Sequence, residues 1–220
     1  MSHIHSHEHD KTKNISFAFF LNLIFCIIEI IGGIMTNSIA ILSDALHDFG
    51  DSVALGLAWY FQKVSEKKPN KKYTYGYKRF SLLSAFVNSV ILLTGSIYVL
   101  YESISRIFNP SETNAHGMFL LAILGVLVNG AAILRLRKGD SVNEKVVLLH
   151  LLEDVLGWIA VLIGSAIMMF VHAPIIDPLL SIGISIFILY NVYKNFKTVF
   201  SVLLQAKPDE IDEELITTAL

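Results

Sequence analysis

Charge is scarce in this sequence. Asp, Glu, Lys and Arg together make up 16% of its 220 residues, where a soluble domain carries roughly a quarter. Hydrophobic residues make up 54%, so a water-facing surface would carry large apolar patches, which soluble monomers avoid. An excess of either sign is also missing: a net charge of −2 leaves no basic footprint for nucleic acid. Cysteine is nearly absent, and the single Cys26 excludes both an internal disulfide and a cysteine-rich zinc site. These absences point to a chain built for a lipid bilayer.

Six stretches have the length needed to cross one. They run near Ile15–Met35, Ser38–Phe61, Phe80–Tyr101, Gly117–Leu134, Val146–Val171 and Ile175–Tyr193. Hydrocarbon offers no partner to a free backbone N–H or C=O, so each is expected to be helical. The first is read as a span rather than a cleaved leader. It is long, its end (Gly32-Gly-Ile-Met-Thr36) lacks an Ala-x-Ala site, and a second span follows at once. Sixteen of the seventeen Lys and Arg fall on one side of this scheme, and only Arg106 falls on the other. The positive-inside rule then makes both termini cytoplasmic. The expected fold is an all-α membrane protein, a six-transmembrane-helix bundle. Spans one and two, and five and six, are antiparallel neighbours because their connections are so short.

Against this apolar background nine ionisable residues lie within or at the edges of the spans: Glu29, Asp44, His47, Asp48, Asp51, His150, Glu153, Asp154 and Asp177. Each costs a few kcal/mol there, and no Lys or Arg lies among them to pair with the carboxylates. A hydrogen bond between helices is a sufficient reason for one such residue, but not for nine. Spacing narrows the reading. Asp44, His47, Asp48 and Asp51 fall at i, i+3, i+4 and i+7, a single helical stripe, and His150, Glu153 and Asp154 at i, i+3 and i+4. Two His-x-x-x-Asp pairs result, His47 with Asp51 and His150 with Asp154, at the spacing of helical metal-ligand pairs. Two imidazoles and two carboxylates suit tetrahedral Zn²⁺, and the carboxylates balance its charge, which favours carrying it through a low-dielectric interior.

With these residues in view the sequence resembles the cation diffusion facilitator family, in particular its zinc branch. The resemblance rests on Asn37–Asp51, Tyr75-Gly-Tyr-Lys-Arg79, Asn143 ahead of His150-Leu-Leu-Glu-Asp154, and Asp177-Pro-Leu-Leu-Ser181, with Asn22, Glu29, Asn88 and Glu102 as further polar positions. It implies a six-helix secondary transporter, not an enzyme, that exports cytoplasmic Zn²⁺ in exchange for H⁺. His47, Asp51, His150 and Asp154 are the implied transport ligands, Zn²⁺ is substrate rather than prosthetic group, and a homodimer is the implied assembly. Members with Asp in place of His47 tend to handle manganese or iron, so His47 favours zinc, with Cd²⁺ and Co²⁺ as related cargo. The short basic loop between spans four and five, histidine-rich in many eukaryotic relatives, suggests a bacterial inner membrane.

The sequence departs from the family at three places. Ser81 stands where a Glu is usual. Tyr73 and Tyr77 occupy positions that hold histidines in some bacterial members, so no second metal site is expected in that loop. Residues 207–220 read as the start of the family's cytoplasmic C-terminal domain, truncated or absent here, after a transport domain over 15–206. Residues 1–14 read as a cytoplasmic tail in which His3, His5, His7 and His9 alternate with other residues. If extended, it would turn all four the same way for transient Zn²⁺ capture; otherwise it is a dispensable polar tail.

Asp44, Asp48 and Glu153 share faces with the ligand pairs, as supporting or proton-carrying groups or as polar helix contacts. Asp177, at the start of the last span, is expected to cap that helix. Two rival functions share the same residues. A membrane-embedded zinc metalloenzyme needs an open coordination position with a general base, for which Glu153 is the candidate, but no HExxH motif is present. A passive divalent-metal channel would conduct without proton counterflow.

Overall fold

The computed structural model describes residues 3–65, 81–136 and 142–205. They form six α-helices: α1 (His3–Thr36), α2 (Ile39–Ser65), α3 (Ser81–Phe108), α4 (Ala115–Leu136), α5 (Val142–Phe170) and α6 (Ile176–Leu203). Each overlaps one of the six expected stretches, α1 starting well before Ile15 and α6 ending well after Tyr193. The Tyr75–Arg79 motif, Tyr73, Tyr77 and residues 207–220 lie outside the described residues.

Local chemistry sets the helix ends. No Gly or Pro occurs before Gly32, so nothing interrupts α1, and its backbone is already helical at His3. The extended register expected for His3, His5, His7 and His9 therefore does not hold. At the other end Asn37 adopts φ 55, its N–H reaches the Ile34 carbonyl and the Ser38 N–H the Gly33 carbonyl, which is a Schellman C-cap. Just past the end of α3 comes Asn109-Pro110, which cannot continue a helix. Pro178 lies in the first turn of α6, where its missing N–H costs nothing.

The bundle is apolar on its outside and polar within. On α1 the side chains of Ile31 and Ile34 are 54% and 66% exposed, whereas Glu29 is fully buried. This inversion of a soluble protein's surface suits lipid as the surrounding solvent. Among the described residues four stretches are long and apolar enough to cross a membrane: Leu82–Phe108, Ala115–Arg135, Val147–Phe170 and Ile176–Leu203. The apolar part of α1, Phe20–Thr36, is shorter, and α2 is interrupted by Asp44, Asp48 and Asp51.

Helix α4 packs along α5 and α3 along α6, while α2 touches α1, α3 and α6. One apolar core joins α1, α2, α4 and α5 around Phe25, Ile41, Met118 and Trp158. Another, of Leu92, Ile188 and Val192, joins α3 to α6. Trp158 stands edge-on to Phe25 with ring centroids 5.5 Å apart. It also lies so close to Gly125 that no side chain would fit there. Helices α2 and α5 approach each other only briefly. The candidate site lies where they do.

Candidate metal centre

Side chains from α2 and α5 meet around His150. Its Nε2 lies 3.3 Å from Asp51 Oδ2 and 3.7 Å from Asp154 Oδ2, and His47 Nε2 lies 3.8 Å from Asp51 Oδ2. The two imidazole rings sit edge to face, 5.5 Å between centroids. The donor atoms of His47, Asp51 and His150 lie within 4.8 Å of one another, while Asp154 falls in a second such group, with His150 and Asp48.

None of these contacts is a good hydrogen bond. His150 Nε2, Asp154 Oδ2 and His47 Nδ1 are buried without a hydrogen-bond partner, at a cost of about 1–3 kcal/mol for each such group. Zinc bonds of about 2.0–2.2 Å to nitrogen and oxygen place tetrahedral ligands about 3.3–3.6 Å apart. The shortest observed spacing has that length, and the others are a few tenths of an ångström longer. His150 thus stands at metal-ligand spacing from Asp51 and slightly farther from Asp154.

Asp51 is also held from a third helix. Asn88 of α3 donates through Nδ2 to Asp51 Oδ1 at 3.2 Å. The approach depends on Gly50, where a Cβ would come within 2.6 Å of Leu92 and 3.1 Å of Asn88 Oδ1. Asn88 was legible only as a polar residue in an apolar span; its partner was not.

Two cavities meet at the site. One of ≈ 520 Å³ runs from Asp51 and His150 past Asn22 and Ala54 to Leu82 and Thr198. A second of ≈ 240 Å³ includes His47, Asp51, His150, Glu153 and Lys194. Glu153 is exposed at its edge, while Asp44 and Asp48 are buried. The larger cavity extends toward the end of the bundle where α3 begins and α6 ends, at Leu82, Ser84, Thr198 and Val199.

The opposite end is closed by hydrogen bonds. Asp177 does not cap its own helix, as the sequence suggested, but α2. Its Oδ1 accepts from Ser38 Oγ at 2.6 Å and from the Ala40 N–H at 3.2 Å, and its Oδ2 accepts from the Ile39 N–H at 2.9 Å. Ser38 Oγ accepts from the Ile41 N–H. The first three N–H groups of α2 are thereby satisfied, and a fully buried carboxylate finds its donors. Ser43 and Ser185, 3.3 Å apart, join the same two helices one turn further in. Arg106 donates to Glu102 on its own helix and to the Asn37 carbonyl, fastening α3 to the α1–α2 link.

Residues 15–204 match the cation efflux transmembrane domain. The chain belongs to the cation diffusion facilitator family. It is 34% identical over 212 residues to the metal cation efflux system protein CzcD of Cupriavidus metallidurans, covering 96% of this chain and 67% of that protein. It is 35% identical over 213 residues to the cadmium, cobalt and zinc/H(+)-K(+) antiporter of Bacillus subtilis, covering 94% and 68%. With the zinc transporter ZitB of Escherichia coli it shares 30% identity over 221 residues, covering 96% and 71%. The chain thus spans about two thirds of the length of these relatives. As a cation diffusion facilitator with four long apolar helices, it is a multi-pass bacterial membrane protein.

Proposed function

We propose that this chain is a secondary transporter exporting Zn²⁺ from the cytoplasm in exchange for protons, with Cd²⁺ and Co²⁺ as related cargo. His47, Asp51, His150 and Asp154 are its ligands. Six spans with both termini cytoplasmic complete the reading, the carboxylates of α2 being tolerated because they face the bundle interior. The observation that carries the proposal is the convergence of His47, Asp51 and Asp154 on His150, whose Nε2, like Asp154 Oδ2, is buried without a hydrogen-bond partner. The names of the relatives, a zinc transporter and a cadmium, cobalt and zinc/H(+)-K(+) antiporter, support the cargo and the coupling.

Zn²⁺ enters from the cytoplasmic side through the larger cavity, and the two aspartates neutralise it. Rocking of the helices then opens the other end. Imidazole and carboxylate must be deprotonated to hold a metal, so protons arriving from outside release it and return in its place. The protonated site again carries little net charge, which favours antiport over unaccompanied flux.

Reconstitution into liposomes with separate zinc and pH dyes tests this. Zinc flux is expected with opposing proton flux, and both are expected to vanish in Asp51→Ala and His150→Ala. Flux that survives those substitutions overturns the ligand assignment. Flux without proton movement overturns antiport and favours a channel.

A further inference from the structure

Four carboxylates converge behind the candidate centre, and the four proposed ligands leave three of them unused. Asp48 is 2% exposed, Glu29 is fully buried, and Asp44 is buried beside Gly157 of α5. The fourth, Asp154, is shared with the centre. The charges bearing on Asp48 among the described residues are those of Glu29, Asp154, Asp44 and Asp51, all of the same sign. Neither oxygen of Glu29 has a hydrogen-bond partner, and neither does the buried Nε1 of Trp158. The polar groups Glu29 faces are Asp48 and Trp158.

The donor atoms of α2 and α5 also divide into two sets. His47, Asp51 and His150 form one and Asp48, His150 and Asp154 the other, with every donor atom of a set within 4.8 Å of the rest. The two share only His150. The first borders both cavities. Asp48 and Asp154 border neither and are more deeply buried. We infer that Asp48, His150 and Asp154, with Glu29 behind them, form a second, inner position for the divalent cation on its way through the bundle.

This inference rests on the transport reading above and extends it. An ion moving inward would exchange His47 and Asp51 for Asp48 and Asp154 while keeping His150, so it is never stripped of all its ligands in a low-dielectric interior. Asp48 and Asp154 balance a divalent charge at the inner position, whereas the outer set supplies one carboxylate, that of Asp51. The inner donor set is richer in oxygen, so it also accepts harder ions. One ion occupies the two positions in turn, because His150 cannot complete both at once.

The test uses the full chain in lipid nanodiscs for binding and in liposomes for flux, with Zn²⁺ and ¹¹³Cd²⁺ as probes. Asp48→Asn is expected to lower Zn²⁺ flux by about tenfold or more, and Asp48→Glu to restore most of it. With His47→Ala and Asp51→Asn combined, one ¹¹³Cd²⁺ per chain is expected to remain bound, with a resonance shifted toward oxygen ligation. Adding Asp48→Asn should remove it. A wild-type chain that transports Zn²⁺ while Asp48→Asn does so equally well overturns the inner position and spares the transport reading. A wild-type chain that neither binds nor moves Zn²⁺ or Cd²⁺ overturns both. Should the variants fail to fold, the wild-type chain decides. Two ¹¹³Cd resonances, or one that moves with temperature, support exchange between positions, and a single invariant resonance overturns it.

Discussion

Asn88 holds Asp51 from across the bundle: its Nδ2 donates to Asp51 Oδ1 at 3.2 Å, leaving Oδ2 turned toward His47 and His150. A carboxylate fixed at one oxygen presents the other in a single orientation. Asn88→Ala is therefore expected to weaken Zn²⁺ binding by about tenfold or more, with helical content unchanged. Isothermal titration of the nanodisc-embedded protein measures this. An affinity equal to wild type would show that Asp51 needs no support.

The same contact makes a prediction about backbone approach. Gly50→Ala would set a Cβ 2.6 Å from Leu92 and 3.1 Å from Asn88 Oδ1, whereas nothing lies within 4 Å of a Cβ at Gly56, two turns along the same helix. Overpacking of this kind costs about 1–3 kcal/mol. Zinc flux is expected to fall several-fold in Gly50→Ala and to stay at the wild-type level in Gly56→Ala. Equal behaviour of the two variants would remove close α2–α3 packing from the account.

The proposed ligand role of His47 makes a prediction about metal preference. His47→Asp replaces a nitrogen donor by a harder oxygen donor. Zinc transport is expected to fall and manganese transport to appear, measured with both ions in competition. Unchanged selectivity would mean that other residues set the preference.

Proton competition fixes the sign of the pH dependence. Bound metal requires imidazole and carboxylate without their protons, so loading releases protons and affinity rises with pH. Zinc affinity, measured between about pH 6 and pH 8, is expected to rise with pH as protons and metal compete for the same donor atoms. Affinity independent of pH over that range would contradict proton-driven release.

Asp177 accepts three hydrogen bonds at the start of α2 while buried in the first turn of α6. Asp177→Ala leaves the Ile39 and Ala40 N–H groups without a partner. A loss of about 3 kcal/mol is expected, seen as a lower unfolding temperature in detergent. A variant as stable as wild type would mean that water or Ser38 replaces the carboxylate.

The helices and the two His-x-x-x-Asp pairs were legible because each follows from local periodicity. A run of apolar residues has one length, and His47 with Asp51 or His150 with Asp154 falls on one face whatever surrounds it. Partnerships between distant segments were not legible. Nothing in the spacing of Asp177 tells its carboxylate to serve α2 rather than its own helix, because that depends on how α6 lies against Ser38. Asp48 likewise read as one polar residue of a stripe, and only the approach of α5 brings it to His150 and Asp154. The histidines from His3 to His9 failed in the opposite way. A polar composition suggested an extended segment, but helix continuity from α1 prevailed where no Gly or Pro stops it.

The bonds from Asp177 to the first turn of α2 act as a clasp at the end of the bundle away from the larger cavity. They hold by direction rather than bulk, so they can be released and remade without repacking the apolar core. A bundle that alternates between its two ends must undo this clasp once in every cycle. The strength of one carboxylate's grip on one helix terminus would then help set the pace of turnover, some two helical turns away from the nearest proposed metal ligand.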